Sequence, residues 1–187
     1  MPHLPRLPLI VAGALCAAPV VSRAVAAQAP PATEYQLKAV FLYNFAQFVE
    51  WPESAFPEPD TPFVIGVLGD DPFGRYLDET VQGEAVNDHP LVVQRFGQVD
   101  EIKACHILFV SRREQQRLPQ ILAALKGRGI LTVGDADGFA GQGGMIRFVT
   151  DHNRIRLRIN LEVARADNLT ISSKLLRPAE IVSTGME

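Results

Sequence analysis

The sequence predicts an α/β domain: a three-layer sandwich with a mostly parallel sheet and a C-terminal antiparallel hairpin. Short apolar runs are typical of strands buried on both faces, and helical patterns at 73–82 and 114–126 alternate with them. This alternation favours a parallel sheet covered by helices. Two alternating segments around a polar turn, at 145–149 and 155–159, predict the hairpin. The predicted parallel strands are 63–68, 91–96, 104–110 and 130–133. Two further short helices are predicted at 161–166 and 171–176.

The most distinctive stretch, residues 35–52, predicts the first helix, which Pro52 ends because proline disfavours helical geometry in the residue before it. Its apolar arc is much wider than the stripe of an ordinary surface helix, so we expect it to be covered on two sides. The face with Asn44 is expected to be buried and hydrogen-bonded. The flank carrying Leu42, Phe45 and Val49 is the candidate for contact with a partner protein or a second subunit.

Residues 1–27 have the pattern of a cleaved secretory signal peptide: basic Arg6, an apolar run over 7–21, and the motif Ala24-Val25-Ala26. We expect a linker at 28–33 and a single domain at 34–187. No later apolar run approaches the roughly 20 residues needed to span a membrane. The sequence therefore predicts an exported, periplasmic protein that does not itself span the membrane.

Charge and cysteine content exclude further classes. Loss of Arg6 and Arg23 from the 18 basic residues leaves 16 against 21 acidic ones, a net charge of about −5, which disfavours nucleic-acid binding. Cys105 is the one cysteine after the signal peptide, so an intrachain disulfide is excluded. We expect a buried, inert thiol; an intermolecular bridge or a reactive role is the alternative.

Catalytic and metal-binding patterns are missing from the sequence. No histidine pair has ligand spacing, and no serine lies in a nucleophile motif. His106, within an apolar strand, is expected to be a hydrogen-bonded core side chain. The glycine-rich segment 138–144 lacks the spacing of phosphate-binding loops, so close backbone packing is the better interpretation. We predict no enzyme activity, metal or cofactor.

Small polar residues follow three of the predicted strands, and they define a candidate ligand pocket. The carboxyl ends of parallel strands line the usual ligand crevice of an open sheet. A small-molecule sensor with its pocket there is therefore an alternative function, although the same residue types also serve as turns and caps. The residues are Gly69, Asp70, Ser111 and Asp135.

The hairpin and the C-terminal segment provide two more candidate surfaces. Arg154, Arg156 and Arg158 point to one side of the predicted second hairpin strand, where they protect a solvated sheet edge or bind an anionic partner. Leu175 and Leu176 belong to an apolar C-terminal segment that could contribute to a protein interface.

Four segments of the sequence are distinctive: YQLKAVFLYNFAQFVEWP, CHILFVSR, ILTVGDADGFAGQGGMIRFV and NRIRLRINLEVARADNLTISSKLLRPAEIV. In this order they resemble the YfiR-like family of periplasmic repressors of membrane-bound diguanylate cyclases. The resemblance implies a protein without enzymatic activity that binds the periplasmic sensor domain of an inner-membrane diguanylate cyclase and holds it inactive. Cyclic di-GMP and biofilm formation would fall as a result. Whether the chain also forms a homodimer stays open.

Overall fold

A large twisted sheet carries helices on both of its faces in the computed structural model, which describes residues 34–152 and 154–186. The predicted signal peptide and linker lie outside these residues. The helices are α1 (Glu34–Phe48), α2 (Arg75–Val81), α3 (Leu118–Leu125), α4 (Leu161–Ala166) and α5 (Ser173–Leu176). The strands are β1 (Val49–Glu50), β2 (Phe63–Leu68), β3 (Ala85–Val86), β4 (His89–Phe96), β5 (Ile107–Val110), β6 (Leu131–Gly134), β7 (Ile146–Asp151), β8 (Arg154–Ile159), β9 (Thr170–Ile171) and β10 (Glu180–Ile181).

Eight of these strands form one sheet in the order β10-β8-β7-β6-β5-β2-β4-β3. Neighbours from β4 through β7 run parallel, whereas β7 and β8 form the antiparallel hairpin and β3 pairs antiparallel with β4. The predicted fold class is confirmed. Since β4 and β5 lie on opposite sides of β2, the strand order reverses direction at β2, and the crevice at its carboxyl end is the expected ligand position.

Two apolar clusters fill the layers on either side of the sheet. The larger one contains residues of α1 and α2, and the smaller one contains residues of α3 together with Phe139. Phe139 sits where two glycines leave room for its ring: a β-carbon at Gly134 would lie 2.5 Å from it and one at Gly144 2.2 Å. Close backbone packing therefore accounts for part of the glycine-rich segment.

Several predicted boundaries move, each for a visible reason. The first helix ends at Phe48 because Val49 and Glu50 leave it to pair with Ile171 and Thr170. The helix expected at 114–126 begins only at Leu118, with Pro119 in its first turn, and a 3-10 helix precedes it. The helix expected at 171–176 divides into β9 and α5 because Ile171 belongs to that short pairing.

The predicted orientation of α1 is wrong. Leu42, Phe45 and Val49 are 0%, 0% and 5% exposed, and they contact the core instead of forming an outward flank. Leu37 and Val40, on the face expected to be buried, are 42% and 46% exposed. The physical reason is that Ala39, Leu42, Phe45 and Ala46 are buried together on one side of the helix. Lys38 lies on that side and can be buried there because Asp135 compensates its charge.

Candidate functional site

A cavity of about 430 Å³ opens at the point where the strand order reverses, at the carboxyl ends of β2 and β5. The structure brings Asp70 and Ser111 together there, as the sequence predicts, whereas Gly69 and Asp135 are not among the lining residues. Gly69 adopts a φ of +84° and backs onto Glu114. The residues that line the cavity are Tyr35, Asp70, Asp71, Pro72, Ser111, Arg112 and Arg113.

The carboxylates of this crevice already have protein partners. Asp70 lies 3.0 Å from Arg113 Nε, and both side chains are well exposed. Asp71 accepts hydrogen bonds from the Phe73 backbone N–H at 2.7 Å and from Arg95 Nε at 2.8 Å. The crevice is therefore polar and nearly charge-balanced, which suits a small polar ligand better than a highly charged one.

A buried ion pair joins α1 to the residue that follows β6. Lys38 Nζ lies 2.6 Å from Asp135 Oδ2, and the two residues are 1% and 2% exposed. The Tyr35 hydroxyl donates to the same oxygen at 2.9 Å, and Glu34 Oε1 lies 2.6 Å from the ammonium. The sequence interpretation missed Lys38; its isolation within the apolar arc of α1 was the available signal.

Electrostatics around this pair follow from burial and from short hydrogen bonds. Burial, reinforced by the negative charge of Asp135, raises the pKa of Tyr35 to about 12. The hydrogen bond from Lys38 holds the pKa of Glu34 below its usual value. Asp135 Oδ1 accepts no hydrogen bond from any residue the structure describes; Arg112 Nε lies 3.8 Å from it. The pair thus anchors the first turns of α1 to the sheet beside the crevice.

The arginines of β8 lie on the face away from α1, as their alternation with Ile155 and Leu157 predicts. Two of them are paired with acids: Arg158 Nε lies 2.8 Å from Glu180 and Arg156 Nε 3.3 Å from Asp151. Arg154 is exposed. Much of the positive charge of this row is neutralised locally, so it is a weaker anion site than the sequence alone suggests.

The outer flank of α1, formed by Leu37, Val40, Phe41 and Phe48, presents apolar side chains to solvent. Leu37 and Val40 are exposed, while Phe41 and Phe48 are half-buried. Phe41 packs against Phe148 with ring centroids 5.9 Å apart, which places the flank beside the hairpin.

The C-terminal leucines separate in the structure. Leu175 is buried in the core, which corrects its expected role at a surface. Leu176 is partly buried and packs at the margin of the same cluster. Lys174, on the same short helix, places its ammonium 5.1 Å from the ring centroid of Phe48. The C-terminal segment therefore borders the outer flank of α1 at Phe48.

Comparison of the sequence with protein families assigns the chain to one of them. Residues 35–180 match the family described as YfiR/HmsC-like. The chain belongs to the YfiR/HmsC-like family. The suspected resemblance is thereby confirmed, and this family is regulatory rather than catalytic. No curated protein matches the chain significantly.

The described part of the chain has neither a cluster of metal ligands nor a membrane-spanning helix. No group of three or more histidine, cysteine, aspartate or glutamate side chains is arranged to hold a metal ion in residues 34–152 and 154–186. Within the same residues, no helix has the length and apolar character needed to cross a membrane.

Cys105 is buried, and we expect its thiol to be unreactive in the folded protein. Burial raises the pKa of this thiol to about 12, so the thiolate that alkylating reagents attack is scarce at neutral pH. Its Sγ lies 3.0 Å from the Ile107 carbonyl oxygen. Iodoacetamide at pH 7.5 should leave the native protein unmodified over hours and modify it fully in guanidinium chloride. Equal labelling rates in the two states would contradict this expectation.

Proposed function

We propose that this chain is a periplasmic regulatory protein that binds the periplasmic sensor domain of an inner-membrane diguanylate cyclase and restrains it. Membership of the YfiR/HmsC-like family over residues 35–180 is the observation that carries the proposal. The outer flank of α1 supports it, because an exposed apolar helix face is typical of a protein–protein contact. Lower cyclic di-GMP and less biofilm would follow from binding.

The outer flank has the composition of an interface centre. Such centres are rich in aromatic and aliphatic side chains and poor in charge, with polar residues at the rim. Leu37, Val40 and the two half-buried phenylalanines supply the apolar part. Exposed Lys174 lies next to Phe48 and supplies a positive charge at the rim. This surface replaces the flank of Leu42, Phe45 and Val49 as the candidate contact.

Restraint by binding requires a difference in affinity between two states of the cyclase. A binding protein shifts an equilibrium only if it prefers one conformation. A preference of about 5.5 kcal/mol for the inactive sensor conformation would move the population from 99:1 active to 99:1 inactive. The regulator needs no catalytic group for this purpose; it needs a surface that fits one conformation.

Deletion of the gene in its host should raise cellular cyclic di-GMP and surface attachment, and the wild-type gene should restore both. Val40→Glu should fail to restore them, because it places a charge in the centre of the outer flank. Tyr76→Glu, at an exposed aromatic residue on α2, is the matched control and should restore both as well as wild type. Cyclic di-GMP is measured by mass spectrometry, with periplasmic protein levels checked by immunoblotting.

The outcomes of this experiment separate the function from the surface. Unchanged cyclic di-GMP after deletion would overturn the regulatory role itself. Restoration by Val40→Glu would leave the role in place but remove the outer flank from it. A wild-type protein that sediments as a dimer, and a Val40→Glu variant that sediments as a monomer, would assign the flank to a second copy of the chain.

A small-molecule sensor is the second candidate function, favoured by the cavity between Asp70 and Ser111. A cavity at the reversal of strand order is a usual place for a ligand. A thermal-shift screen of small polar metabolites tests it, with Ser111→Leu, which fills the cavity, as the comparison. A ligand that raises the melting temperature of wild type but not of Ser111→Leu supports the sensor; a screen in which no compound shifts the wild type counts against it.

A further inference from the structure

Two histidines from neighbouring parts of the sheet stack on the same phenylalanine of the loop that joins β1 to β2. The Phe56 ring centroid lies 4.1 Å from that of His89 on β4 and 4.6 Å from that of His106, which precedes β5. In both pairs the ring planes are within 18° of parallel. Phe63 also stacks on His106, at 4.7 Å. The two imidazoles therefore belong to one aromatic cluster with Phe56 and Phe63, and Phe56 connects residues 53–62 to it.

Hydrogen bonds connect the same imidazoles to the backbone of this loop. His106 Nε2 lies 3.2 Å from the Ala55 carbonyl oxygen, near the start of the loop. His89 Nδ1 lies 2.8 Å from the Thr61 carbonyl oxygen, near its end. Since a carbonyl only accepts, both ring nitrogens carry a proton and donate. Each histidine thus fastens one end of the loop to the sheet.

The other nitrogen of His106 fixes its protonation state. His106 Nδ1 accepts the buried Val64 backbone N–H at 3.0 Å. A nitrogen that accepts holds no proton, so His106 is neutral, with its single proton on Nε2. Protonation of Nδ1 would bring its hydrogen against the Val64 N–H and leave that buried donor without its acceptor, which is unfavourable.

The surroundings of His106 offer little to stabilise a positive charge. The titratable group that faces it is His89, which would itself become a second cation. The acids of the loop, Glu53, Glu58 and Asp60, are exposed, and the histidine ion pair of the described chain is that of His152 with Asp151 in the hairpin. The β2 residues in contact, Phe63 and Val64, carry no charge, and the neighbouring Cys105 thiol stays neutral.

We propose that His106 is the pH-sensitive centre of a latch, completed by the hydrogen bond and ring stacking of His89, that holds residues 53–62 on the sheet at neutral pH and releases them on acidification. The proposal goes beyond the regulatory function and does not depend on it. Trp51 packs edge-to-face on two rings of the same cluster, Phe63 at 4.9 Å and His106 at 6.3 Å. Trp51 directly follows β1, so the latch borders the end of α1.

The direction of the pH effect follows from the protonation state of His106, which is neutral when residues 53–62 lie on the sheet. Burial lowers the pKa of His106, and the hydrogen bond to Ala55 opposes this only in part. The closed state therefore binds fewer protons than the released state. Its stability is complete above the ordinary histidine pKa of about 6.5 and falls as the pH drops below that value. Between that value and the lower pKa of the closed state, the opening equilibrium constant rises by up to about tenfold per pH unit, the limit for one proton taken up.

Hydrogen exchange of the full mature protein between pH 7.5 and pH 5, corrected for the intrinsic rate, tests the latch. Peptides covering 53–64 should keep their protection from pH 7.5 to about 6.5 and lose it below that value, by up to about tenfold per pH unit. Peptides covering 131–134 in the centre of the sheet should keep theirs throughout. A parallel NMR titration of the histidine rings should give His106 a pKa below the ordinary histidine value. Protection of 53–64 that does not change with pH, or that is lost together with 131–134, would overturn the proposal.

Two variants make the test specific. His89→Gln removes one potential cation that faces His106, so the pKa of His106 in the closed state should rise towards the ordinary value. The loss of protection at 53–64 on acidification should therefore be smaller than in wild type. His152→Gln, at an exposed histidine in the hairpin turn, is the matched control and should change neither. The latch would also be refuted if His152→Gln changed the pH dependence of protection at 53–64, or if His89→Gln left that dependence identical to wild type.

Discussion

Replacing Lys38 by alanine is expected to lower the free energy of unfolding by about 3–5 kcal/mol, because it leaves the buried carboxylate of Asp135 without its cation. The Tyr35 hydroxyl would then be the main remaining donor to that carboxylate. Chemical denaturation monitored by circular dichroism measures the change. The effect is large for a single polar side chain because both partners are almost completely removed from water.

Two comparisons identify the cause of the Lys38 effect. Arg75→Ala breaks an exposed pair with Glu79 on α2 and should cost less than about 0.5 kcal/mol. The double variant Lys38→Met, Asp135→Leu removes both charges and should recover much of the stability lost in Lys38→Ala, because a buried pair can be replaced by apolar side chains at little net cost. Equal losses in Lys38→Ala and Arg75→Ala would show that the pair is not buried in solution.

The layered α/β fold was predictable because its signals are local. Strand β2 coincides with the apolar run 63–68, and helix α4 with the predicted 161–166. The two-residue strands were not predictable, since nothing within two residues distinguishes them from loop. Val49 is a strand residue only because Ile171, more than a hundred positions later, pairs with it. Pairing of that kind depends on the finished tertiary structure.

The candidate sites were predictable where topology alone determines them. Asp70 and Ser111 follow adjacent parallel strands, so any parallel sheet in that order brings them together. The exposed face of α1 could not be determined from its pattern, because apolar residues surround most of the helix. Lys38 lies on the buried side, and the partner that compensates its charge, Asp135, lies 97 residues away in the chain. A lone lysine within an apolar arc is a reason to look for a buried carboxylate elsewhere.

The orientation of α1 leads to the second large effect: Leu42→Ala should lower the free energy of unfolding by about 2–5 kcal/mol. Leu42 is completely buried among the side chains of the larger apolar cluster, so truncation leaves a cavity. Leu37→Ala is the matched control, with the same substitution on the same helix at an exposed position. It should cost less than about 1 kcal/mol, because most of the side chain already contacts water.

The two leucine variants also separate stability from regulation. Leu37→Ala should fold like wild type and yet restore repression of cyclic di-GMP only in part, because it removes apolar area from the proposed contact. Leu42→Ala should bind normally for as long as it remains folded, so any loss of repression should follow its lower periplasmic abundance.

If Leu37→Ala proved the more destabilising of the two, α1 would have to be rotated from the orientation described. Its buried arc would then be the one that carries Asn44.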